Sequence, residues 1–221
     1  ITDALYFLKR KKAEDTDYAV DLLKRVGIPL PNVRIKDYPH QFSGGMRQRA
    51  MIAAALGPRP GLLLADEPTT ALDVTIQDQI IKLINNLRDE LRMSVILVTH
   101  DLGVVAQMCD RLAVMYAGRI VEMTDTVTLF SKPRHPYTYA LLGSIPTRAN
   151  RGKKLEPITG APPNLANLAP GCPFKPRCRY AESVCGEELP EIREVEPGHW
   201  SRCHFLDKAE SFQGVIEEYQ Q

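Results

Sequence analysis

Residues 62–73 read Leu-Leu-Leu-Ala-Asp-Glu-Pro-Thr-Thr-Ala-Leu-Asp, and they leave a chain few choices. Four apolar residues bounded by Gly61 and Pro68 predict a short strand buried on both faces. Two adjacent carboxylates, Asp66 and Glu67, stand at its carboxyl end, where open parallel sheets bind their ligands. Ionised carboxylates beside a dry strand are costly unless a cation shares the site. Magnesium carried in on a nucleotide phosphate is the simplest such cation. The alternative is a strand that ends in a solvated acidic turn.

Two further stretches bear on that choice. Phe42-Ser43-Gly44-Gly45-Met46-Arg47-Gln48-Arg49 opens a helical pattern expected from about residue 45 to 56, with Ser43 as its N-cap. Glycines in a first turn let backbone N–H groups approach an anion, and the helix dipole favours negative charge there. Downstream, Ser94-Val95-Ile96-Leu97-Val98-Thr99 predicts a second apolar strand with His100 at its carboxyl end.

In this combination and order the three stretches resemble an ABC-type ATPase. Ser43-Gly44-Gly45 is similar to the family's signature loop, Asp66 and Glu67 to its Walker B pair, residues 70–73 to its D-loop, and His100 to its switch histidine. The usual loop begins with Leu and ends in Gln; Phe42 and Met46 stand here, as in the variant common among peptide-transporter ATPases. The resemblance implies that Asp66 orients magnesium, Glu67 polarises the water attacking the γ-phosphate, and His100 senses that phosphate. It also implies that Ser43, Gly44 and Gly45 complete the ATP site of a neighbouring subunit, with Asp73 working across the interface. No Gly-x-x-x-x-Gly-Lys-Ser/Thr phosphate loop occurs in the sequence, and none of the glutamine loop that should follow it. The expectation is therefore the C-terminal two-thirds of a longer subunit, inactive towards ATP alone.

With 221 residues and 44% apolar content, the chain can bury one sizeable core with an appendage. A net charge of +1 supplies no basic field for nucleic acid. No apolar run reaches the roughly eighteen residues that span a bilayer. The first ten residues read as a helix end. Tyr18, Ala19, Leu22, Leu23 and Val26 continue at helical spacing until Gly27 stops them. His40 reads as a loop residue. Asp73 caps a helix whose stripe is Ile76, Ile80, Leu83, Ile84, Leu87 and Leu91, and Asp101 caps the next. Cys109 reads as a small buried hydrophobe. Residues 111–116 and 119–123 predict a hairpin turning at Ala117-Gly118, followed by a short helix near residues 126–130. Proline and glycine punctuation over 146–170 predicts an extended linker.

Cys172, Cys178, Cys185 and Cys203 are separated by five, six and seventeen residues, a set compatible with a thiolate metal site. None of the gaps is the two-residue spacing typical of zinc fingers. His199 and His204 are possible substitute ligands. The tail from Pro133 onward resembles the C-terminal extension of the dipeptide, oligopeptide and nickel transporter ATPases. That resemblance implies a [4Fe–4S] cluster on the four cysteines, with zinc or unligated thiols as alternatives.

The expected fold is α/β: a partial P-loop NTPase-type ABC ATPase core with a small irregular cysteine-containing extension. Residues 1–60 are expected to hold the helical subdomain remainder and signature helix, 61–132 the RecA-like core, and 133–221 the extension. The resemblance implies an ATP- and magnesium-dependent subunit energising import of di- or oligopeptides. Its implied partners are a second ATPase subunit, two transmembrane permease subunits and, indirectly, an extracytoplasmic peptide-binding protein, with no nucleic acid. Its implied place is the cytoplasmic face of the membrane, as a peripheral subunit. A nickel importer of the same group and a non-transport ABC ATPase are the alternatives.

Overall fold

A computed structural model describes residues 12–145 and 157–206. The expected helix end over the first ten residues and the first part of the 146–170 linker lie outside the described residues. The chain divides into two compact units, Ile1–Met108 and Cys109–Gln221.

In the first unit, α1 (Lys12–Arg25) is followed by Gly27 at φ 74°, the left-handed conformation that ends the helix. A single-turn helix, α2 (Pro31–Arg34), and a 3₁₀ turn (Pro39–Gln41) lead to α3 (Gly44–Leu56). His40 lies in that turn, stacked on Tyr38. Ala19, Leu22, Leu23 and Val26 of α1 and Ile52, Ala53 and Leu56 of α3 are buried. Arg49 on α3 donates to the Val26 carbonyl at 2.7 Å, satisfying a helix-end acceptor, and to Gln79 at 3.1 Å.

Strand β1 (Leu62–Asp66) pairs in parallel with β2 (Ser94–Val98), joined by helix α4 (Val74–Leu91); α5 (Leu102–Met108) follows. Asp73 caps α4 through the Ile76 amide at 2.9 Å. Ile80, Ile81, Ile84 and Leu87 are its buried residues, whereas Leu91, expected in the stripe, is exposed. The expectation that β1 is buried on both faces is corrected. Leu63 is covered, but Leu62, Leu64, Ile96 and Val98 are 47%, 69%, 52% and 55% exposed. The register pairs Leu64 with Ile96 and Asp66 with Val98, so these apolar side chains share one face. Among the described residues this sheet has two strands, and that face stays largely open.

The second unit is built on a four-stranded antiparallel sheet of order β3-β4-β6-β5. Strands β3 (Arg111–Tyr116) and β4 (Arg119–Asp125) turn at Ala117 (φ 49°) and Gly118 (φ 75°), the paired left-handed conformation that suits a two-residue hairpin. Helix α6 (Thr126–Ser131) is capped by Asp125, and α7 (Pro136–Gly143) by the His135 ring. Helix α8 (Val184–Glu187) precedes β5 (Arg193–Glu196) and β6 (His199–Ser201). Among the described residues the tail carries short regular elements. β6 pairs with β4, so the hairpin assigned to a core ending at 132 belongs to one sheet with the chain beyond it. Cys109 is half-buried rather than buried.

Glu122 on β4 is fully buried and holds this unit together. Its carboxyl accepts from the backbone amides of Arg134 and His135 and lies 2.8 Å from His199 Nε2. His135, also buried, accepts from the Tyr137 amide, and desolvation pushes its pKa down to about 3. Tyr116, Tyr137 and Phe174 pack tilted or edge-to-face at centroid distances of 4.7–5.4 Å, joining the hairpin, α7 and the cysteine segment. Replacing Glu122 with Leu leaves buried donors without an acceptor. We expect a loss of about 3 kcal/mol or more, read as a lowered midpoint in urea unfolding.

Candidate nucleotide and cysteine sites

The parallel register decides where the acidic and basic side chains meet. β1 ends at Asp66, opposite Val98, and the Glu67 amide still donates to the Val98 carbonyl at 2.8 Å. Glu67 then turns out of the ladder at φ 44°, a left-handed conformation rare for a side chain of its size. Two residues past Val98, His100 brings Nδ1 to 2.8 Å from Glu67 Oε1. The Thr70 hydroxyl donates to Glu67 Oε2, so each carboxyl oxygen has its own partner. These contacts hold the Glu67 carboxyl below the usual carboxylate range, Thr70 contributing most and His100 next. Glu67 in turn raises the His100 pKa. Asp66 stands exposed at the strand end, beside Glu67.

Asp101 ties His100's loop to the helix layer. Its Oδ1 accepts from the Gly103 and Val104 amides and its Oδ2 from Gln77 Nε2 at 2.9 Å, linking α5 to α4. Ser43 caps α3 through the Met46 amide at 3.3 Å. A Cβ on Gly45 would sit 2.9 Å from Ile76 Cγ2, in the first turn of α4. Glycine is thus required at 45 by packing, because the starts of α3 and α4 meet there.

The four tail cysteines come together. Cys172, Cys178, Cys185 and Cys203 line one apolar cavity of about 20 Å³, walled also by Phe174, Lys175 and His204. That volume accommodates about one water. The Cys172 amide donates to the Cys185 carbonyl at 2.8 Å, and the approach depends on Gly171 (φ 84°), where a Cβ would lie 2.4 Å from that carbonyl oxygen. Burial pushes the Cys172 and Cys178 thiols up, and Cys203 up to about 11, with neighbouring cysteines adding to each shift. Among the described residues, no three His, Cys, Asp or Glu side chains are grouped to hold a single metal ion. Neither the cluster nor zinc therefore finds a preformed ligand group among the described residues.

Comparison with known proteins bears on both places. Residues 3–70 match the ABC transporter family, and residues 121–185 match the oligopeptide/dipeptide transporter C-terminal region. The dipeptide transport ATP-binding protein DppD of Bacillus subtilis is 49% identical over 90% of this chain and 60% of its own length. The oligopeptide transport ATP-binding protein OppD of Salmonella typhimurium is 49% identical over 87% of this chain and 57% of its own. The chain belongs to the oligopeptide/dipeptide ABC transporter ATP-binding family. It spans 57–60% of the length of these two relatives. Among solved structures, an inward-facing ABC transporter described as of metal-chelate type matches with a TM-score of 0.50 and 26% identity, over 56% of this chain and 47% of that one.

Of the residues expected at this family's nucleotide site, Glu67 and His100 are in contact, and Asp66 adjoins them. Asp73 and Ser43 serve as helix caps within this chain, and Gly45 as a packing glycine. Thr70, legible in the sequence only as the start of the D-loop, partners Glu67, and Gln77, which partners Asp101, carried no sequence signal. A hydroxyl three residues after a carboxylate, across a proline turn, is the signal that points to Thr70. The Glu67–His100 ion pair exists above the lowered pKa of Glu67 and below the raised pKa of His100. It is lost as pH falls through the first or rises through the second. In an NMR titration, Glu67→Gln should therefore move the His100 midpoint down. An unmoved midpoint would mean that the contact does not form in solution.

Proposed function

We propose that this chain is part of the ATP-hydrolysing subunit of a di- or oligopeptide importer. The observation that carries the reading is Glu67 at the carboxyl end of a parallel strand, oriented by Thr70 and facing His100. The relatedness to dipeptide and oligopeptide transport ATP-binding proteins supplies the substrate class. Phosphoryl transfer calls mainly for positioning and charge neutralisation. Glu67 takes a proton from the attacking water, and His100 donates to the γ-phosphate. Asp66, an exposed oxygen donor, would hold magnesium, which when bound would offset phosphate charge. Ser43, Gly44 and Gly45 offer their helix start to a neighbouring subunit's nucleotide, and Asp73 faces that interface.

The sequence has no phosphate loop, so turnover is assigned to the full-length subunit rather than to these residues alone. Among the described residues no helix is long and apolar enough to cross a membrane. Transport then requires permease partners, a second ATPase subunit and a peptide-binding protein outside, with this chain peripheral on the cytoplasmic face. Leu30, Val33, Tyr38 and Met51 are exposed on and beside α2 and α3, and they supply apolar surface for docking on a permease.

The cysteines form the second part of the proposal. Four thiols on one apolar cavity are the donor set of a [4Fe–4S] cluster, which would act as a covalent staple for the tail. The raised thiol pKa values mean that ligation displaces protons from Cys172, Cys178 and Cys203. Anaerobically purified protein should show absorbance near about 400 nm and about four irons per chain, both lost in Cys178→Ser. Protein with neither iron nor sulfide removes the cluster and leaves the ATPase reading intact. For that reading, Glu67→Gln in the full-length subunit of the assembled transporter should lower magnesium-dependent ATP turnover about 100-fold or more. Near-parental turnover would remove Glu67 from the chemistry.

A further inference from the structure

We infer that Thr70 is a positioning residue that fixes which oxygen of Glu67 reacts. The inference rests on the hydrolytic reading of Glu67 above. The two carboxyl oxygens differ in the kind of partner each has. Oε2 is held by the Thr70 hydroxyl from within the same tight turn, where the Thr70 amide also donates to the Glu67 carbonyl at 3.2 Å. That turn is anchored by buried Pro68 and Thr69, so the Thr70 contact stays with Glu67 however the strand ends move. Oε1 is held by His100, which belongs to the other strand and whose side chain is 78% exposed. One contact is local; the other spans two chain segments and is released when His100 turns to a phosphate.

The consequence is an exchange at Oε1. When His100 leaves, Thr70 keeps the carboxylate in its rotamer, and Oε1 becomes the open acceptor for the attacking water. The water then gives its proton to Oε1, and its oxygen bonds to the γ-phosphorus. The bond to the bridging oxygen breaks, and its electron pair leaves with ADP. Without the hydroxyl, the exposed Glu67 side chain samples other rotamers, and the open oxygen is misplaced at the moment it is needed.

The test uses the full-length subunit in its assembled transporter, with Thr70→Val, Thr70→Ala and Thr70→Ser. Thr70→Val and Thr70→Ala should each lower kcat about tenfold or more while leaving KM for ATP near parental. Thr70→Ser, which keeps the hydroxyl, should restore kcat. The Glu67 side-chain carboxyl ¹³C resonance at neutral pH should move in Thr70→Val and Thr70→Ala and return in Thr70→Ser. A merely structural role moves KM and thermal stability together with kcat and gives Thr70→Ser no privilege. Parental kcat in Thr70→Val or Thr70→Ala, or an unmoved carboxyl resonance, overturns the inference. A parent subunit that hydrolyses no ATP instead overturns the ATPase reading itself, and the role of Thr70 in turnover goes with it.

Discussion

Everything at the acidic site follows from a five-residue parallel register. Leu62 lies opposite Ser94 and Asp66 opposite Val98, so both strands end at the same level. One residue further, the Glu67 amide makes a last ladder bond to Val98, and the chain then leaves through a left-handed turn. Two residues past Val98 comes His100. A slip of one residue would send the side chains at the strand end to the opposite face and part the carboxyl from the imidazole. The helix caps then stabilise what the register arranges. Asp73 starts α4 and Asp101 starts α5, and Gln77 joins these two starts.

The second unit has a different centre. There a single carboxyl, Glu122, gathers the backbone of residues 134 and 135 and the ring of His199 in a dry interior. Such a group is stabilising only when its bonds are complete, because buried polar atoms without partners cost more than satisfied ones return. Its neighbours are apolar and aromatic, which fixes the sheet, α7 and the cysteine segment around it. The cysteine cavity lies beside this cluster, with Phe174 in both.

Much of this was legible in residue order because it is local. Ser43, Asp73 and Asp101 cap as their side-chain chemistry dictates, and Ala117-Gly118 turns as a left-handed pair must. The β1 and β2 strands were legible from their unbroken apolar runs. Burial on both faces was not, since apolarity tells what a face seeks and not whether something covers it. β5 and β6 are only four and three residues long, too short for a period to show, and they exist through pairing with β4. The Glu122–His199 pair joins residues 77 positions apart and leaves no local trace. Likewise the four cysteines were suggestive in number, yet only the fold shows them on one cavity. The glycine at 45 read as an anion-binding feature, and the structure adds a packing reason that spacing alone does not carry.

The strand pair has two sides of different character. Leu62, Leu64, Ile96 and Val98 lie together on one side, and Leu63 is covered on the other. Asp66 ends the same alternating row as Leu62 and Leu64, opposite Val98. A polar substitution at Leu64 or Ile96 therefore changes the surroundings of Asp66 and leaves the covered side of the strands untouched.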